Sequence, residues 1–210
     1  MPHLSEAKKR SMEATPLIRD GKTDDLETLV ETLSDSFSQD PLFNWVFPQT
    51  ELYPAYFRLL VRDVYLPRGI VHTDSDGRAA ALWLPPEERF EIPPRLGLLG
   101  FGFQLFMREG LRPLWRLRQQ SGIYTKHLPR EPHYYLQFLG CRSSEQGQGI
   151  GTALIKKGTQ ICDERGIPAF LESSNILNVP LYERHGFEIR AEEALATGGP
   201  TVWFMWREPQ

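Results

Sequence analysis

The stretch Gln146-Gly147-Gln148-Gly149-Ile150-Gly151 decides how this chain of 210 residues is read. It lies between an aromatic- and aliphatic-rich run, Tyr134 to Cys141, that fits a buried strand, and an amphipathic segment, Gly149 to Arg165, that reads as a helix closed by Gly166. Glycines where a strand becomes a helix remove Cβ atoms, so backbone N–H groups at the positive end of the helix can approach a phosphate closely. Two familiar phosphate loops fail on spacing. The dinucleotide fingerprint needs glycine where Thr152 stands, and a P-loop needs Gly-Lys-Ser/Thr after four spacers. The expected cradle for a pyrophosphate therefore runs from Gln146 through Gly147, Gln148, Gly149, Ile150 and Gly151 to Thr152 and belongs to neither class.

Outward from that loop the chain alternates strands and helices. Before it, Pro16 to Arg19 reads as a short strand, and Thr23 or Asp24 caps a helix with Leu26, Leu29, Val30, Leu33 and Phe37 at helical spacing, stopped by Asp40 and Pro41. Phe43, Trp45, Val46 and Phe47 connect it to a second helix from about Leu52 to Leu66. Ile70 to Thr73 and Ala79 to Leu84 form a hairpin around Asp74, Ser75, Asp76 and Gly77. After the loop, Ala169 to Glu172 is a strand, Asn178 and Pro180 open a short helix that Gly186 closes, and Glu188 to Ala191 and Thr201 to Trp206 are the last strands. The fold class predicted is mixed α/β (α+β), with a mostly antiparallel central sheet flanked by helices.

Residues 1–15 are polar and expected to be a flexible N-terminus, leaving 16–210 as a single domain. Residues 87–130 are punctuated by Pro and Gly and rich in Arg, the pattern of a helical insertion before the central strand, and their length suggests a lid over the acceptor side. Leu98, Leu99, Phe101, Phe103, Leu105 and Phe106 look too apolar for water and are expected to pack against the body or a substrate.

Composition narrows the function. With 24 Lys and Arg against 27 Asp and Glu, the net charge of −3 offers no basic surface for a nucleic acid. No apolar run reaches the ~20 residues of a bilayer span, so no membrane-spanning segment is expected; a membrane surface is not among the expected partners, although this count leaves a surface role open. Cys141 and Cys162 lack metal-ligand spacing, so no metal is expected, and two thiols in a chain of this size point to a reducing, cytoplasmic setting. A homodimer is compatible with the sequence but not dictated by it.

The loop resembles the acetyl-CoA loop of the Gcn5-related N-acetyltransferase family, Gln/Arg-x-x-Gly-x-Gly/Ala between a strand and a long helix, with Gln146, Gly149 and Gly151 in its positions. The later family pattern of a strand, an Asn near a helix start and a Tyr one turn on is similar to Phe170-Leu171-Glu172-Ser173-Ser174, Asn178 and Tyr182. The similarity covers about residues 134–206, and the C-terminal portion looks most like puromycin-type members, a likeness of scaffold that does not transfer the acceptor. The resemblance implies a splayed strand whose backbone at Leu139 and Cys141 bonds the pantetheine arm, with the acetyl carbonyl near Phe138.

Without the family, a cofactor held by its pyrophosphate on the helix end must still run its arm along a strand edge, and Tyr134 to Cys141 is that edge. Asn178 and Tyr182, four residues apart, share a helix face and can address one ligand, and a phenol there can protonate a leaving thiolate. Glu172 leads the candidates for guiding a proton off an amine, ahead of His133, Tyr135 and Gln137 acting through water. His133 reads as a loop residue and His185 as a helix-end cation. Asp40 can receive a cationic substrate or simply end a helix. Phe43, Trp45, Phe47, Trp83, Tyr134 and Tyr135 are core or pocket lining. The expected activity is transfer of an acetyl group from acetyl-CoA to a primary amine of a small molecule by direct attack. The rivals are a non-catalytic acyl-CoA-binding sensor and an acyltransferase with another acyl donor or acceptor.

Overall fold

The computed structural model describes residues 16–94, 96–195 and 198–210, so the expectation for 1–15 lies outside the described residues. Seven strands form one sheet in the order β1-β2-β3-β4-β5-β7-β6. They are β1 (Ile18–Asp20), β2 (Ile70–Asp74), β3 (Ala79–Leu84), β4 (Tyr134–Cys141), β5 (Ala169–Ser173), β6 (Glu188–Ala194) and β7 (Thr201–Arg207). Every neighbouring pair is antiparallel except β4–β5, which is parallel. The mixed, mostly antiparallel sheet predicted from sequence is therefore the sheet observed.

Helices cover both faces. α1 (Leu26–Ser36), α2 (Pro41–Val46), α3 (Tyr53–Leu60), α4 (Leu96–Glu109) and α5 (Arg112–His127) gather with one apolar cluster that includes Phe43, Phe57, Phe138 and Phe170. α6 (Ile150–Arg165) and α7 (Val179–Glu183) pack with the other, around Trp83, Leu136, Leu154 and Tyr182. Burying both faces is why β3 reads AAALWL without polar alternation and is buried along its whole length. α3 passes through a π-helical turn, Val61–Tyr65, and ends in a further turn, Leu66–Arg68, so the predicted second helix is present in segmented form.

Two sequence expectations are corrected. Phe43 to Phe47 are not a plain connection. Pro41–Val46 is a helix, and Asp40, read as a terminator of the preceding helix, is its N-cap: Oδ1 accepts from the N–H groups of Leu42 and Phe43, both at 2.9 Å. Pro at the first helical position lacks the N–H that would be unsatisfied there, which is why Asp-Pro opens this helix. The insertion, where the pattern suggests one or two helices, holds two, but Leu99, Phe103 and Phe106 are exposed on α4. Only Phe101 and Leu105 of the apolar set are fully buried and Leu98 partly so, because a single helix stripe faces the body.

α6 is held at two places. At Gly158 an added Cβ would lie 2.3 Å from Trp83 Cζ2, so the helix backbone rests directly on the indole of β3. Near its end, Asp163 takes a bidentate pair from Arg207 of β7 at 2.6 and 2.8 Å. Arg207 is only 4% exposed. Gly166 closes the helix in the left-handed conformation (φ 62), as its position predicts.

Candidate active site

β4 and β5 run together only over Tyr134↔Ala169, Tyr135↔Phe170 and Leu136↔Leu171. On its other side β4 pairs with β3 through a bulge: Leu82 faces Phe138 and Trp83 faces Leu136, so Gln137 has no opposite residue. An inserted residue bends the strand and shifts its alternation. As a result Tyr135 and Phe138, which strict alternation would put on opposite faces, join the same cluster, and β4 leaves β5 from Gln137 onward. This is the splayed strand that the resemblance implied.

A groove of about 590 Å³ begins at the parting of the strands and follows β4 to the start of α6. It is lined by Leu139, Gly140 and Cys141, then by Gln146, Gly147, Gly149, Ile150, Gly151 and Thr152, with Asn178, Leu181, Tyr182 and Arg184 across from them. Gly147 and Gly149 both sit at φ 79, a conformation that favours glycine, and a Cβ at either would meet nothing within 4 Å. The space in front of the α6 N-terminus is open, as an anion cradle requires. Gln148 is not brought into the lining; its amide donates to Glu145 at 3.0 Å. Gln146 lines the groove and its amide donates to the Cys141 carbonyl at 3.3 Å. The Cys141 N–H donates to Ser36 Oγ at 3.0 Å, so an acyl carrier bonding this amide must displace that hydroxyl.

A second cavity of about 440 Å³ lies on the other side of the splay, and Phe37 and Asp40 line both spaces. Its walls come from α2, α3, α5 and the facing residues of β4 and β5, including Tyr135, Gln137, Phe138, Glu172 and Ser174. The Phe138 side chain therefore faces this cavity rather than the groove. Of the aromatics weighed as lining, Phe43, Phe47 and Tyr135 are in the wall, whereas Trp45, Trp83 and Tyr134 are buried elsewhere. The insertion contributes Leu117, Gln120, Ser121, Tyr124 and Thr125 from α5, with Phe90 before α4 and Leu128 after α5, and Phe103 and Phe106 take no part.

Each candidate side chain has a distinct setting. The buried Glu172 carboxyl has one oxygen, Oε1, without a hydrogen-bond partner, and burial pushes its pKa up to about 8 against the relief given by the Tyr135 hydroxyl. The Tyr65 hydroxyl holds Gln137 by its amide oxygen. Asp40 Oδ2 accepts from Ser174 Oγ at 2.6 Å, which ties the α2 cap to the end of β5; burial raises its pKa in spite of these bonds. Tyr182 is 7% exposed and lines the groove, and burial with the nearby charge of Asp40 raises its phenol pKa. Asn178 is exposed and stands at the N-cap position of α7, with Pro180 following as the sequence reading has it, but its side chain makes no capping bond; the capping bond lies one turn earlier, where Asn175 opens the 3-10 turn Ile176–Asn178 by accepting from the Leu177 N–H at 3.0 Å. His133 bonds the Glu131 carbonyl and lies against Phe170 and Trp206, outside the cavity. His185 bonds the Leu181 carbonyl at a helix end, as expected.

Burial, with Asp74 and Glu145 nearby, pushes the Cys141 thiol up to about 11. A thiol so far from ionisation at neutral pH is a poor acyl-carrying nucleophile. Cys141→Ala is expected to keep at least a third of wild-type turnover; an inactive, folded Cys141→Ala with label passing through the enzyme would establish a covalent route.

Residues 100–187 match the acetyltransferase (GNAT) family. The match spans the cradle, the splay and Tyr182. An uncharacterized N-acetyltransferase of Schizosaccharomyces pombe is 28% identical over 213 residues, covering 89% of this chain and 81% of that protein. Among solved structures, a histone acetyltransferase HPA2 and related acetyltransferase from Corynebacterium glutamicum aligns with a TM-score of 0.67 at 22% identity, over 94% of this chain and 98% of that one. Arylalkylamine N-acetyltransferase 2 from Aedes aegypti aligns at 0.60 and 14%, over 94% and 100%. The sheet and its flanking helices thus match GNAT acetyltransferase structures, and the GNAT family is supported from sequence and fold together. Among the described residues no cluster of His, Cys, Asp and Glu suits a metal ion, and no helix is long and apolar enough to cross a membrane.

Proposed function

We propose that the protein transfers an acetyl group from acetyl-CoA to a primary amine of a small molecule by direct attack. The observation that carries the reading is the meeting of two spaces where β4 leaves β5: a groove ending in an open glycine cradle, and a cavity holding a buried carboxyl. Acetyl-CoA supplies the thioester. The α6 N-terminus, with Gly147, Gly149, Gly151 and Thr152, holds the pyrophosphate, and the β4 edge at Leu139 and Cys141 receives the pantetheine amides, with the acetyl carbonyl beside Phe138. Glu172 takes the proton as the amine nitrogen forms its bond to the carbonyl carbon, and Tyr182 donates toward the sulfur as the C–S bond breaks. Asn178, on the same side of the groove, addresses the arm. The arylalkylamine enzyme among the structural neighbours supports a small-molecule acceptor.

A saturating ligand that binds only the folded state, at a hundredfold excess over its dissociation constant, adds about 2.7 kcal/mol to stability. Acetyl-CoA is expected to raise the melting temperature accordingly, and Gly151→Glu to lose the rise. Gly151 lies in the first turn of α6, where a Cβ meets only Leu181 Cδ2 at 3.9 Å, so the variant keeps its ligand-free melting point while a carboxylate occupies the cradle. Gly149→Glu is the poorer choice because a side chain at φ 79 adds ~1–2 kcal/mol of backbone strain. A full thermal shift in Gly151→Glu places the phosphates elsewhere.

A further inference from the structure

We propose that the acceptor is an amine carried on an aromatic body that bears no acidic group, an inference that rests on the acetyl-transfer reading above. The cavity beside the splay is walled by rings in mutual contact. Phe43 lies 5.7 Å from Tyr56 and 6.2 Å from Phe138, and Phe47 lies 5.3 Å from Tyr56. Tyr124 closes the wall from the insertion. Rings so placed offer edges and faces to another ring, and the volume of about 440 Å³ accommodates one with a short chain.

The charged groups set the rest of the specificity. The carboxyls in the wall are Asp40 and Glu172, and none of the described lining residues is Lys, Arg or His. A substrate carboxylate would be stripped of water with no cation to meet it, and with Asp40 close by. A free amino acid is thereby rejected in favour of the amine with the same side chain. A polyamine or amino sugar fares no better. Asp40 stands where the cavity opens into the groove and answers one ammonium, while Glu172 is largely uncharged at neutral pH, so a second ammonium meets no further carboxylate, and a sugar would lay its hydroxyls against a wall that is mostly apolar.

The test is a set of initial rates with the full chain and acetyl-CoA at pH 8, using 2-phenylethylamine and tryptamine, then phenylalanine and tryptophan as the same bodies with a carboxylate, then spermidine and glucosamine. A buried unpaired charge of this kind commonly costs about a hundredfold or more in kcat/KM. The two amines are expected to exceed their amino acids by at least that factor, and spermidine and glucosamine by a similar one. Leu117→Arg, which adds a cation to the α5 wall at a partly buried position, is expected to narrow the gap between phenylethylamine and phenylalanine at least tenfold. An amino acid within threefold of its amine, or spermidine or glucosamine as the best acceptor, overturns the proposal. Thermal shift by acetyl-CoA is measured alongside. A shift together with turnover of only the disfavoured acceptors sinks this inference alone, whereas no shift and no turnover with any acceptor sinks the acetyl-transfer reading beneath it.

Discussion

Glu172→Gln is expected to lower kcat/KM by about a hundred- to ten-thousandfold, the range general-base help contributes, and to remove a pH dependence that the wild-type protein shows. With its pKa raised to about 8, Glu172 is mostly protonated at neutral pH, so the wild-type rate should climb with pH and level off above about 8. The substitution keeps the shape and the contact with Tyr135, so the limb should vanish rather than move. Stability supplies a second reading of the same group. A carboxyl whose folded pKa is raised binds its proton more tightly in the native state, so stability contributed by that proton is present at low pH and is lost as pH rises from the unfolded value, near 4.5, through about 8. The Glu172→Gln protein should therefore match the wild type in melting temperature near pH 4 and exceed it at pH 8. An unchanged pH–rate profile in Glu172→Gln would remove Glu172 from proton transfer.

Tyr182→Phe is expected to lower kcat by about ten- to a thousandfold with the fold and the acetyl-CoA thermal shift retained. The phenol is buried, lines the groove and is held protonated by its surroundings, so a donor is always present for a thiolate as it forms. The raised pKa also limits how much proton it surrenders and water can stand in partly, which is why the expected loss lies about tenfold below the usual ~10²- to 10⁴-fold range. The check is stopped-flow measurement of free CoA at saturating acceptor. A kcat within twofold of wild type would leave Tyr182 as a core ring packed on Phe187.

The groove was readable in the sequence because its parts are contiguous: a strand, a glycine-rich turn and a helix written in order, followed by Asn178 and Tyr182 at one-turn spacing. Gly149 and Gly166 were legible as helix boundaries because a left-handed backbone is one of the few conformations that residue identity reports. The cavity beside the splay was not, because it is assembled across the chain. Its floor depends on the bulge at Gln137, which no local residue type announces and which alters the facing of Phe138 relative to Tyr135. Asp40 shows the same difficulty in small. Asp before Pro ends one helix and begins the next equally well, and only the bond from Ser174, 134 positions along the chain, shows that this carboxylate also joins two spaces. The apolar residues of α4 misled for another reason: helical periodicity gives the existence of a stripe, but the number of residues it buries is set by what packs against it.

The contact of Gly158 with Trp83 gives α6 a fixed fulcrum. With 1.5 Å of rise per residue, the cradle at the start of the helix lies about 12 Å from that point of rest. A single methyl inserted between helix and indole has to lift the axis, and the lift is carried along a rigid rod to the amides that face the open cradle. Mutational tolerance along this chain therefore should not follow distance from the groove: a residue outside its lining sets the height of the glycine cradle.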